Sequence, residues 1–242
     1  MITCRYNVNE FEKLKVYPFF DLLFGAEHVL IGGTTGCGKT TLIDDYLYSL
    51  MGRYKPNEVR LTLIDPKRVS FGKYRNSPFV DNIITENRDI INMLKYAVSI
   101  MESRYKEMKE RDLEIWDGSY IVIVIDELAD LMTTCKKEVV PLIQRIAQLG
   151  RAAKIKLVCA TQAPNRKVID ANLVVNFNGR LALRCLSPIE SRQLILDKGA
   201  EKLPLHGKAL YLHNNGRRYE INVPLTSRTE LENRINFWKK ED

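Results

Sequence analysis

An α/β fold, a mainly parallel sheet with helices on both faces, is predicted by three features of the sequence. Short β-branched runs alternate with longer amphipathic stretches, which is the pattern of strand–helix crossovers. The short runs are apolar throughout rather than at every second residue, as strands covered on both faces require. A glycine-rich turn, Gly33 to Thr41, lies between the first such run and an amphipathic stretch.

Taken in chain order, the strands are expected at Val29 to Ile31, Arg60 to Ile64, Tyr120 to Ile125, Lys156 to Ala160 and Arg180 to Cys185. A helix should follow the glycine turn from Thr41 to Leu50. The clearest helix runs from about Arg88 to Arg111, where Ile90, Leu94, Ala97, Met101, Tyr105 and Met108 form one apolar stripe. Glu102, Arg104, Lys106 and Lys109 are assigned to its solvated face. Another helix is expected at about Val139 to Leu149, with Pro141 in its first turn, where a missing N–H costs nothing. Lys208 to Leu212 and Arg218 to Val223 flank Asn214-Asn215-Gly216 and predict a small C-terminal hairpin. Ser227 to Lys239 reads as a closing helix.

The chain has 242 residues, 45% hydrophobic and 28% charged, which suits one large domain with a packed core and excludes wholesale disorder. Apolar runs such as Tyr120 to Ile125 fall far short of the roughly 20 residues a membrane helix needs. Met1 to Glu10 lacks the basic start and apolar stretch of a signal peptide. Five scattered cysteines (Cys4, Cys37, Cys135, Cys159, Cys185) form no C-x-x-C pair, against a disulfide framework or zinc site and for a cytoplasmic setting. His28, His206 and His213 show no ligand spacing. The net charge of +7 favours an acidic partner such as nucleic acid.

The run Gly33-Thr34-Thr35-Gly36-Cys37-Gly38-Lys39-Thr40 matches G-x-x-x-x-G-K-[ST] between a strand and a helix. Glycines let backbone N–H groups turn inward as an anion nest, and the helix start adds partial positive charge. The motif points to ATP, with Lys39 on the β- and γ-phosphates and the Thr40 hydroxyl on Mg²⁺; Thr41 closes the loop. Cys37 is either a thiol activated by the helix start and Lys39 or an inert filler.

The strand Tyr120 to Ile125 runs into Asp126-Glu127. Buried charge at a strand end needs a partner. Mg²⁺, held through water, supplies one for Asp126, while Glu127 can orient and deprotonate the attacking water. These acids are expected on the strand neighbouring the glycine turn. The fourth run ends in Ala160-Thr161-Gln162, and Gln162 is placed to sense the γ-phosphate from the ligand crevice.

With these motifs placed, residues from about Asp21 to the C-terminus resemble the motor domain of the FtsK/SpoIIIE family of double-stranded DNA translocases. Besides the phosphate loop, the resemblance rests on Asp65-Pro66-Lys67, Met101-Glu102-Ser103-Arg104-Tyr105, Asp126-Glu127-Leu128-Ala129-Asp130-Leu131-Met132 and Arg145-Ile146-Ala147-Gln148. It continues in Gly150-Arg151-Ala152-Ala153, Ala160-Thr161-Gln162-Ala163-Pro164 and Glu190-Ser191-Arg192-Gln193-Leu194-Ile195-Leu196-Asp197. The resemblance implies a RecA-like P-loop NTPase fold over 21–242 after a lead-in over 1–20. It also implies a homo-oligomer, a ring of six around DNA, with ATP sites completed between subunits. Arg151 then acts in trans as an arginine finger. Family members present basic residues to the DNA from the loop after the T-Q block and near the S-x-x-[DE]-S-R block. Here Ala163 and Pro188 stand where arginine and lysine are usual, which leaves Arg166, Lys167 and Arg192 as DNA candidates.

The chain reads as a motor stripped of membrane anchor and winged-helix reader, so any membrane recruitment or sequence choice falls to a partner protein. Its cargo is then the DNA of a chromosome, plasmid, conjugative element or phage. Two rivals stand beside this reading. One is an ATP-dependent switch that binds DNA or a partner without translocation; the other is a conjugation coupling or virion packaging ATPase acting on single-stranded DNA.

Overall fold

The computed structural model describes residues 19–162, 164, 171–213, 216–223 and 225–239. Most of the lead-in segment therefore lies outside the described residues. One eight-stranded sheet runs through the molecule in the order β3-β2-β4-β5-β1-β6-β7-β8. Its strands are β1 (Val29–Gly32), β2 (Val59–Ile64), β3 (Val80–Ile84), β4 (Tyr120–Ile125), β5 (Ile155–Thr161), β6 (Gly179–Ala182), β7 (Lys208–Leu212) and β8 (Arg218–Asn222). The six from β3 to β6 are parallel, and the C-terminal hairpin β7–β8 extends them antiparallel. The predicted fold class holds.

Helices cover both faces. α1 (Phe19–Gly25), α2 (Lys39–Arg53) and α8 (Arg228–Lys239) bury Leu23, Leu42, Ile43, Leu47, Leu231 and Ile235 against one face. α3 (Asn87–Glu110), α4 (Leu128–Thr134), α5 (Lys136–Leu149), α6 (Ala171–Val174) and α7 (Pro188–Ile195) cover the other through Ile90, Leu94, Leu128, Ile143, Leu173 and Leu194. β5 is buried at every residue, which explains why it is apolar from Leu157 to Ala160, with Lys156 as its one buried charge.

Four expectations need correction. Arg104 is 9% exposed rather than solvated: its Nη1 donates to the Ala153 carbonyl at 2.6 Å and its guanidinium stacks on Trp116. Pro141 lies inside α5 rather than in its first turn, because the helix starts at Lys136 with Val139 N bonding the Cys135 carbonyl. The proline sits at an exposed position, as does Lys137, whose carbonyl it leaves without an intrahelical donor. β6 ends at Ala182, before Cys185, although Leu183 N still bonds Gly32 O. Finally, β4 is not the neighbour of β1; β5 lies between them.

Candidate functional site

The phosphate loop joins β1 to α2. Gly36 and Gly38 hold φ of 77° and 98°, left-handed backbone that turns the loop around and starts the helix. No side chain caps α2, so the N–H groups of its first turn remain available to an anion. The loop is tied to both neighbouring strand ends: Gly33 N donates to Thr161 O at 3.3 Å and Thr34 N to Arg184 O at 2.8 Å. Lys39 lies buried in this cradle, its ammonium donating to the carbonyls of Gly33 at 2.6 Å and Thr34 at 2.7 Å. Burial lowers the ammonium pKa, against the opposing pull of Cys37, Glu127 and Asp126. That pull sets both acids within electrostatic reach of Lys39. Thr40 and Thr41 are half-buried in the first turn.

Cys37 sits in surroundings that fit a filler rather than an activated thiol. It is 1% exposed, and burial pushes its pKa up despite the Lys39 ammonium at 3.7 Å.

Glu127 is 2% exposed and caps α4, accepting from Ala129 N at 3.2 Å. Both of its oxygens also accept from Gln162 N, at 3.1 and 3.2 Å. Lys67, in the segment after β2, places its ammonium 3.5 Å from Glu127 and 3.6 Å from Asp130. Asp126 accepts from the Ser70 hydroxyl at 2.7 Å, and its carboxyl is pushed above the usual range by burial, with Asp65 and Glu127 adding repulsion. Ser70 N also donates to the buried Asp65 at 2.8 Å. Asp65 and Asp126 extend from the paired residues Ile64 and Ile125, so one short segment braces both strand ends. The Ser70 brace had no sequence signal. Lys67 had one, because a polar Asp-Pro-Lys closing a buried strand marks the crevice side of the sheet.

Gln162 links the halves of the site. It follows Thr161, the last residue of β5, the strand inserted between β1 and β4. Its backbone engages Glu127, and its side-chain oxygen accepts from the Thr35 hydroxyl of the phosphate loop at 2.8 Å. Two strand spacings, about 10 Å, separate β1 from β4, and Gln162 spans that gap.

Arg151 lies elsewhere. It precedes β5, at the opposite end of a seven-residue strand from Gln162. That length is about 20 Å, so this arginine cannot serve the phosphate loop of its own subunit. The turn that carries it is rigidly built. Lys154 N bonds Arg151 O at 3.1 Å, Trp116 N bonds Ala152 O at 2.8 Å, Arg104 bonds Ala153 O, and the Tyr105 hydroxyl bonds Leu149 O at 2.7 Å. A Cβ on Gly150 would collide with the Ile155 carbonyl and come within 3.0 Å of the His28 ring. The Arg151 side chain is 74% exposed and pairs with Glu27 at 2.7 Å.

Of the DNA candidates, Arg166 and Lys167 lie outside the described residues, as does Ala163. Arg192 is exposed on α7, whose Leu194 packs on Gly32 of β1. Pro188 opens that helix behind the cap Ser187, so the position reserved for a lysine serves as a helix start.

An uncapped helix behind a glycine turn, and an acidic strand end joined to it by a glutamine from an inserted strand, define a P-loop NTPase. Comparison with known proteins refines the class. The model of the FtsK/SpoIIIE family matches residues 13–119 and 111–166, and the chain belongs to that family. The DNA translocase FtsK of Rhizobium meliloti (strain 1021) is 31% identical over 257 residues, which cover 88% of this chain and 29% of that protein. The DNA translocase FtsK of Corynebacterium glutamicum is 39% identical over 239 residues, covering 88% of this chain and 26% of that one. The chain thus spans less than a third of these relatives. Among solved structures, the pCW3 conjugation coupling protein TcpA, with ATPγS, matches at a TM-score of 0.80 and 21% identity. That match covers 97% of this chain and 70% of TcpA. The Type VII secretion ATPase EccC of Thermomonospora curvata matches at 0.72 and 22%, covering 88% and 28%. These likenesses are of fold. No helix among the described residues is long and apolar enough to cross a membrane.

Proposed function

We propose that this chain is an ATP-driven motor that moves double-stranded DNA. The observation that carries the reading is the bridge Thr35–Gln162–Glu127, which couples the phosphate loop directly to the hydrolytic carboxylate. ATP fits the cradle because the first turn of α2 offers uncapped N–H groups and a lysine ammonium to its phosphates. Mg²⁺ would be held there by the Thr40 hydroxyl and, through water, by Asp126, and would offset phosphate charge. Glu127 orients the attacking water and receives its proton, and Gln162 responds to the γ-phosphate.

Because Arg151 is about 20 Å from its own site, its service as a finger requires a second subunit, which supports a ring. Such a finger is worth roughly 10³–10⁵ in kcat. The +7 charge supports phosphate-backbone contacts, with Arg166, Lys167 and Arg192 as candidates. On this reading the motor is cytoplasmic and is brought to the membrane by a partner.

ATP turnover should rise with duplex DNA, and the protein should displace a triplex-forming strand from linear duplex. Turnover indifferent to DNA would instead identify a switch. A second reading is favoured by the fold likeness to a conjugation coupling protein. Preferential stimulation by single strands would select it over the duplex motor. Lys39→Ala should abolish nucleotide retention, whereas Glu127→Gln should retain ATP without turnover; filter binding with labelled ATP separates the two outcomes.

A further inference from the structure

We propose that Glu27 is a positioning residue that holds Arg151 ready for the nucleotide site of a second copy of this chain; the proposal rests on the trans-arginine reading above. The strand order β5-β1-β6 brings three strand starts together at the end of the sheet away from the phosphate loop. Arg151 precedes β5, Glu27 precedes β1 and Asn178 precedes β6. One oxygen of Glu27 accepts from the Asn178 amide, and the other takes Arg151 Nη1 at 2.7 Å. The acid is therefore fixed by one neighbour and grips the other.

The pair is lopsided, with Glu27 19% exposed and Arg151 74% exposed. A guanidinium carries five N–H donors in a planar fork, and Glu27 occupies only one edge of it. The remaining donors project from a turn that Arg104, Trp116, Tyr105 and Gly150 make rigid. A free arginine would spread over many rotamers and pay that entropy each time it met an anion. Glu27 removes much of that spread beforehand. With the Arg151 head largely in solvent, this ion pair adds little to folding stability, so the pairing is explained better by what it presents than by what it holds together.

The test uses the full chain in its assembled, DNA-stimulated state. Glu27→Gln should lower kcat about tenfold, the scale of lost orientation, with KM for ATP within about twofold. Because Glu27 also attracts the buried Lys156 ammonium, the split between kcat and KM, rather than the melting temperature, reads the positioning role, and Glu27→Asp should recover part of the rate. Mixing Glu27→Gln with Glu127→Gln subunits, which carry an intact Glu27 and Arg151, should give more turnover than the two measured apart. If Arg151→Ala is inactive while Glu27→Gln keeps the parental kcat or exceeds it, the positioning role is overturned and the finger survives. If Arg151→Ala itself turns over at the parental rate, the trans-arginine reading falls and this proposal falls with it.

Discussion

A protonated His28 has nowhere to place its second N–H. Its Nδ1 accepts from Leu157 N at 3.1 Å, while Nε2 is buried without a hydrogen-bond partner among the described residues. Burial, helped by the nearby Lys156 ammonium, lowers the ring from 6.5 to about 3. The native ring is thus neutral where an unfolded chain would already take a proton. Its stabilising contribution is full above about pH 6.5 and is lost as pH falls towards 3. At about 1.36 kcal/mol per pH unit, the full loss is on the order of 4–5 kcal/mol. Urea unfolding at pH 7 and pH 5 should show the slope, and His28→Asn should flatten it; equal slopes in both proteins would remove His28 as its source. That Lys39, Asp126 and Glu127 gather at one site was legible from sequence alone, because each closes a strand or opens a helix with a buried charge. Arg104 was not, because a charged residue on a helix face looks solvated until the fold brings Ala153 and Trp116 against it.

Elements bear out the same division. β1, β2, β4 and β5 were readable because burial on both faces writes an apolar run. β3 was missed: it is an edge strand with exposed Asp81 and Asn82 and a register shift between Leu61 and Thr62, so its sequence carries little apolar signal. The insertion of β5 between β1 and β4 was hidden too, since strand order depends on contacts distant in sequence. The α5–β5 turn sets a sharper demand. Gly150→Ala should destabilise the fold by about 1–3 kcal/mol, the usual cost of forcing atoms into a filled space. It should also lower DNA-stimulated turnover by displacing Arg151. A melting temperature within about 1 °C of the parent, where about 1 kcal/mol moves a domain of this size by some 2–4 °C, would contradict the close approach.

For the whole molecule, the proposed finger Arg151 and the phosphate loop lie at opposite ends of one sheet, so on that proposal no subunit is complete alone. Specific ATPase activity should therefore climb with protein concentration and track the appearance of larger particles in sedimentation. Constant specific activity down to concentrations where only monomers sediment would refute a shared site. The edges of the sheet constrain how such particles form. At one edge stands short β3 with its Asp81–Arg60 pair; at the other stands β8, flanked by Lys208–Glu220 and Arg218–Asp197. Short, charged borders discourage backbone-to-backbone zippering between copies. In the proposed ring, neighbours would then meet without joining their sheets, across a seam able to part and close again with each turnover instead of fusing into one continuous ribbon.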